Sequence, residues 1–193
     1  NLLKRVRFLA GSGTTPTIMG DNEEYIGFAD GSIPMKIIVL RTEDGSPVEI
    51  DNPEPFSYDP ESQTENTLAY FGGKFIVDNN NPEGSGVACY EIKGSYGNEK
   101  VKLLWVNKDI FAPNNVPLVS GKSQSAYVYE LKKEDRIDKW YLTAIDLNTG
   151  KVLWREFIGE GFDYNSMYAP LNLDDKNNIY IGLFGKILIV GNM

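Results

Sequence analysis

The stretch Trp140 to Phe157, WYLTAIDLNTGKVLWREF, decides the fold. Tyr141, Thr143, Ile145 and Leu147 alternate with Leu142, Ala144, Asp146 and Asn148, the period-two pattern of a strand whose two faces meet different surroundings. Asn148, Thr149 and Gly150 then supply a turn, because Asn and Gly tolerate positive φ and a Thr hydroxyl can bond the adjacent backbone. Lys151 to Phe157 returns as a second strand, with Val152 and Trp154 on one face and Leu153, Arg155 and Phe157 on the other. An antiparallel hairpin ending in a large aromatic is the expectation.

Within it, the run Ala144-x-Asp146-x-x-Thr149-Gly150-x-x-x-Trp154 resembles the tryptophan-docking motif of the quinoprotein, or PQQ-like, β-propeller repeat, with all five motif positions filled. The resemblance implies that the Trp packs between neighbouring blades while the Asp and the Thr-Gly turn fix the hairpin that carries it. By that reading Trp154 is a core residue and not a platform for a cofactor. The implication concerns the fold, and a fold does not determine a function.

Outward from the hairpin, four segments repeat one pattern, anchored on Pro16, Leu68, Pro117 and Pro170, with spacings of 52, 49 and 53 residues. A period near fifty is that of a propeller blade. Each anchor is followed by a second strand (Glu24 to Asp30, Lys74 to Asp78, Ser125 to Glu130, Asn178 to Leu183) and a third (Met35 to Arg41, Gly86 to Ile92, Trp140 to Leu147, Lys186 to Val190). A fourth is clear at Lys100 to Val106 and Lys151 to Phe157 and weak near Pro47 to Ile50. The reading is an all-β chain of four-stranded antiparallel blades, about four of them visible, with residues 1–193 forming one propeller or a segment of a larger ring. Lys4 to Gly11 resembles an outermost strand, so residues 4–9 either close the last blade or belong to a longer propeller cut in mid-blade. Ile50 to Asn66, with three prolines and five acidic residues, reads as an extended surface loop, and Lys132 to Arg136 as a hairpin insertion.

Composition agrees. Hydrophobic residues at 41% and charged residues at 24% can build a core, and 19 Gly, 11 Tyr and 10 Pro without a long helical pattern favour short strands and turns. A net charge of −8 argues against a nucleic-acid surface, and no apolar run approaches the ~20 residues of a membrane span. The absence of histidine removes Ser-His-Asp and Cys-His nucleophile systems and imidazole metal sites. Cys89, alone in the apolar run Val87 to Tyr90, reads as a buried structural thiol. The chain opens at Asn1 without a signal sequence, as a processed protein or a piece of a longer one would.

In a propeller the polar residues that enter the innermost strands converge near the axis. The candidate ligand-binding rim is therefore Thr14, Thr15, Asn66, Asn115 and Ser166, with Asn114, Asn165 and Tyr168 beside them. The acidic runs Asp21 to Glu24 and Asp174 to Asn178 read as turns rather than metal loops, so no metal ligand is assigned. No catalytic residue is assigned and no cofactor is called for. The expectation is a non-catalytic module that binds a small polar ligand or a protein partner. Its rivals are a quinone-dependent oxidoreductase, using PQQ with Ca²⁺ held by ligands outside this chain, and a hydrolase or lyase using carboxylates such as Asp30, Glu65 and Asp163. The resemblance further implies a periplasmic or secreted protein.

Overall fold

A computed structural model describes residues 11–81 and 83–191. Four sheets follow one another as blades of a β-propeller arc. The first holds β1 (Thr17–Met19), β2 (Tyr25–Ala29) and β3 (Ile37–Arg41). The second holds β5 (Ala69–Phe71), β6 (Lys74–Asp78), β7 (Val87–Lys93) and β8 (Lys100–Asn107), with β4 (Glu49–Ile50) added to its outer edge. The third is β9 (Leu118–Ser120), β10 (Ser125–Glu134), β11 (Ile137–Asp146) and β12 (Val152–Glu160). The fourth is β13 (Asn172–Leu173), β14 (Ile179–Leu183) and β15 (Lys186–Val190). Each innermost strand starts within two residues of its anchor, and the pairing from inner to outer strand is antiparallel.

The alternation in each strand serves two seams at once. On β11, Leu142 and Ala144 join the cluster shared with the fourth blade, including Leu171, Ile179 and Ile181. Ile145, on the opposite face, joins the cluster shared with the second blade, including Ile76, Val87 and Cys89. A third cluster couples the first and second blades through Met19, Ile37, Val39, Leu68, Phe75 and Tyr90. Each seam is thus a sheet-on-sheet core between consecutive blades. Among the described residues no such cluster joins the fourth blade to the first, so the blades form an open arc.

Several expectations are corrected. Pro47 bridges Leu40, but Glu49–Ile50 leaves the first blade and pairs parallel with Lys100 and Val101 of β8, tying two blades at their outer rim. Residues 50–66 are not merely a surface loop, since Phe56 is fully buried in the first seam and Ser62, Thr64 and Asn66 are buried too. The run Lys132 to Arg136 inserts nothing: β10 continues to Glu134 and reverses at Asp135 and Arg136, whose positive φ of 52° and 65° matches the twist of a two-residue hairpin. The expected strand at residues 4–9 lies outside the described residues.

Candidate functional site

Strand order places the links between blades and the second-to-third connections at one end of the arc, and the rim residues gather there. Thr14 Oγ1 lies 3.2 Å from both the carbonyl and the amide of Ala29. Asn66 Nδ2 donates to Asp78 Oδ2 at 2.6 Å and to the Asn115 carbonyl at 3.1 Å. Asn115 Nδ2 donates to the Ala169 carbonyl, and Ser166 Oγ to the Asn114 carbonyl at 2.6 Å. With Thr17 Oγ1 on the Leu68 carbonyl at 2.8 Å, these bonds form a ladder from each blade to the next. The structure brings Asn66, Asn115 and Ser166 into this ladder, holds Thr14 within the first blade, and leaves Thr15 exposed. Thr14, Asn66, Asn115 and Ser166 are all buried; Thr14 satisfies backbone of its own blade, while Asn66 Nδ2, Asn115 Nδ2 and Ser166 Oγ satisfy carbonyls of neighbouring blade links that would otherwise be orphaned.

Asp78 sits behind the ladder. Burial pushes its carboxyl up to about 7, against the lowering effect of the bonds from Asn66 and Thr64. Beside the ladder a recess of about 220 Å³ opens among Asn80, Asn114, Asn165, Lys133, Asp138 and Tyr168. Asn114 Nδ2 donates to Asn165 Oδ1 at 3.0 Å, so amides from the third and fourth blade links are fixed against each other at its wall.

The other chemically capable groups are committed to the fold. Glu130, fully buried, accepts from Thr143 Oγ1 at 2.5 Å and Arg155 Nε at 2.6 Å. Arg41 Nε lies 2.6 Å from the buried Glu99. Asp30 accepts from the Ser32 and Lys36 amides, while Asp163 belongs to the 3-10 turn Phe162–Tyr164; no contact unites either with Glu65 among the described residues. The Cys89 thiol is pushed up to about 12 by burial. Among the described residues no group of three or more Cys, Asp or Glu side chains is placed to hold a metal ion. The oxidoreductase rival places its PQQ and Ca²⁺ ligands outside this chain, and here the rim amides Asn66 and Asn115 are turned to neighbouring carbonyls.

At the opposite end, the motif divides into a socket and a knob. Asp146 Oδ1 accepts from the Asn148 amide, the Thr149 amide at 2.7 Å and Thr149 Oγ1 at 2.8 Å, and the Thr149 hydroxyl bond leads in holding this carboxyl below the usual range. The turn so shaped receives not its own Trp154 but Trp105 from the second blade. Trp105 Nε1 donates to the Leu147 carbonyl at 3.0 Å, and Asn107 Nδ2 to the Gly150 carbonyl at 2.8 Å. Gly150 has φ +72°, and a Cβ there would fall 2.5 Å from Trp105 Cδ2. Trp154 is not core: it is 42% exposed, with its ring 5.9 Å from that of Tyr127. Trp105 as the docked partner was available from its 49-residue offset to Trp154; a cleft among Tyr25, Tyr70 and Tyr96 had no comparable signal, because its walls come from three separated turns.

No helix among the described residues is long and apolar enough to cross a membrane. No protein-family profile matches the chain, and no curated protein does. Among solved structures it is similar to a europium-containing methanol dehydrogenase, at 18% identity and a TM-score of 0.49, over 86% of this chain and 27% of that one. The chain spans about a quarter of that enzyme's length.

Proposed function

We propose that this chain is a non-catalytic propeller module that binds a small polar ligand, free or presented by a protein partner, at the loop end of its blades. The observation that carries the reading is the recess of about 220 Å³, whose Asn80, Asn114 and Asn165 amides, Lys133 and Asp138 charges and Tyr168 phenol offer donors and acceptors on a fixed frame. The buried ladder supports it by fixing the blade links that present those groups. Of the carboxylates, Asp30 accepts amides of its own turn, and Glu99 and Glu130 are held in ion pairs. An extracytoplasmic location belongs to the same reading and rests on the repeat resemblance.

The test has two arms. Small sugars, polyols and amino acids titrated into isotope-labelled protein are expected to shift the amide signals of Asn80, Asn114 and Asn165, and Asn114→Ala is expected to weaken the response. A dye-linked oxidation assay with PQQ, Ca²⁺ and simple alcohols or sugars is expected to give no turnover. Turnover in that assay would replace this reading with the oxidoreductase one.

A further inference from the structure

At the end opposite the loop recess, the first and second blades leave a cleft of about 420 Å³ lined by Gly20, Asp21, Asn22, Glu24, Tyr25, Tyr70, Gly72, Gly73, Gly94 and Tyr96, with Ile92. We infer that this cleft is a binding site for an organic ammonium group, walled by Tyr25, Tyr70 and Tyr96 and faced by the carboxylates of Asp21 and Glu24. Three tyrosines with acidic residues beside them and no Lys or Arg in the lining favour a cation that is greasy as well as charged. An anion would meet the charges of Asp21 and Glu24 there, and a neutral apolar group would desolvate them without return.

The walls are pre-set. The Tyr25 and Tyr96 rings pack against each other, tilted at 39° with centroids 6.3 Å apart, so the exposed Tyr96 is held on the buried Tyr25. Tyr96 Oη donates to Glu43 Oε2 at 2.7 Å, and Tyr70 Oη accepts from the Gly73 amide at 3.0 Å. Glu24 is oriented by the amide and the side-chain nitrogen of Asn22, both at 3.0 Å. The glycines on the lining leave its mouth unobstructed. The neighbouring cation, Arg41, is already committed to Glu99 at 2.6 Å, Ser46 Oγ at 2.9 Å and the Pro47 carbonyl at 3.3 Å, so it does not fill the site. At Tyr25 burial raises the phenol first, then the charges of Glu99 and Glu24, with Arg41 opposing them.

The site is independent of the loop recess, so the two readings fail separately. The experiment is an amide-resolved NMR titration with choline, and in parallel with 3,3-dimethyl-1-butanol, which has the same shape without the charge. Choline is expected to shift Gly72, Gly73 and Gly94 saturably while the alcohol leaves them in place. Tyr96→Ala, in an exposed loop, is expected to weaken choline several-fold, about what the loss of one cation–π face gives. Asp21→Asn and added salt are expected to weaken it further. A short lysine peptide that displaces choline would assign the ammonium to a protein chain, and failure to displace it would assign a free small molecule. The inference is overturned if choline shifts none of these amides up to about 50 mM, weaker than the range in which a site of this kind holds a ligand, if the alcohol shifts them equally, or if Tyr96→Ala binds choline as wild type does.

Discussion

Trp105 and Trp154 occupy the same place in successive blades, 49 residues apart, and live in different surroundings. Trp105 rests on Gly150 and donates to Leu147 of the next blade, while Trp154 keeps 42% of its surface exposed. The two outer strands that carry them are alike, so the difference comes from what stands opposite. A strand reaches its final environment only when the neighbouring blade supplies a turn of the right shape, here one set by Asp146, Thr149 and Gly150. Blade stability is therefore a property of pairs, as expected for an architecture whose units bury their faces only by stacking.

Breaking the closed side of this comparison should have the largest effect. Trp105→Ala removes a packed ring and a hydrogen bond whose acceptor stays behind, and is expected to lower stability by about 3 kcal/mol in urea unfolding. Gly150→Ala attacks the same contact from the socket. Its positive φ and the clash with the Trp105 ring are expected to cost about 2 kcal/mol, and much less in a Trp105→Ala background, where the ring is gone.

The carboxylates sharpen the contrast between the two ends of the blades. Asp146, exposed at the socket end, has its pKa lowered by Thr149, so its contribution is present above the unfolded pKa and is lost as pH falls through the folded one. Asp78, buried at the loop end, is raised to about 7. Between about pH 4 and 7 the folded chain then holds a proton that the unfolded chain has released, so stability falls as pH rises through this window, by at most ~1.4 kcal/mol per pH unit. Asp78→Asn is expected to flatten that slope, which unfolding midpoints at pH 4.5 and 7 would measure. The smallest effect belongs to the open side: Trp154→Ala is expected to change stability by under about 1 kcal/mol.

Much of this architecture was legible in the chain because its signals are local. Pro16, Pro117 and Pro170 mark where inner strands begin, and the alternation from Tyr141 to Leu147 marks a two-faced strand. What was not legible depends on distant partners. Nothing near Trp154 says that its socket is absent from the described residues, and nothing near Asn148 itself points to Trp105, whose docking is signalled only by its 49-residue offset from Trp154. The Asp135–Arg136 reversal contains neither Gly nor Asn, so Asp135 alone marked it and the positive φ of Arg136 had no sequence signal. Phe56 sits among prolines and acidic residues that suggest a surface, yet the first seam takes it in. For the candidate site, the residue types of the rim were readable but their destinations were not: Asn66 bonds 49 residues away and Asn115 bonds 54 residues away. The tyrosine cleft is the extreme case, assembled from turns of two blades.

The most direct test of blade-to-blade docking is hydrogen exchange of the three indole N–H groups, followed by NMR with signals assigned through Trp→Phe variants. Trp105 and Trp140 donate at 3.0 Å to the carbonyls of Leu147 and Gly161, and slow exchange is expected for both. Fast exchange is expected for Trp154. Protection of Trp154 equal to that of Trp105, or exchange of Trp105 as fast as that of Trp154, would contradict the account.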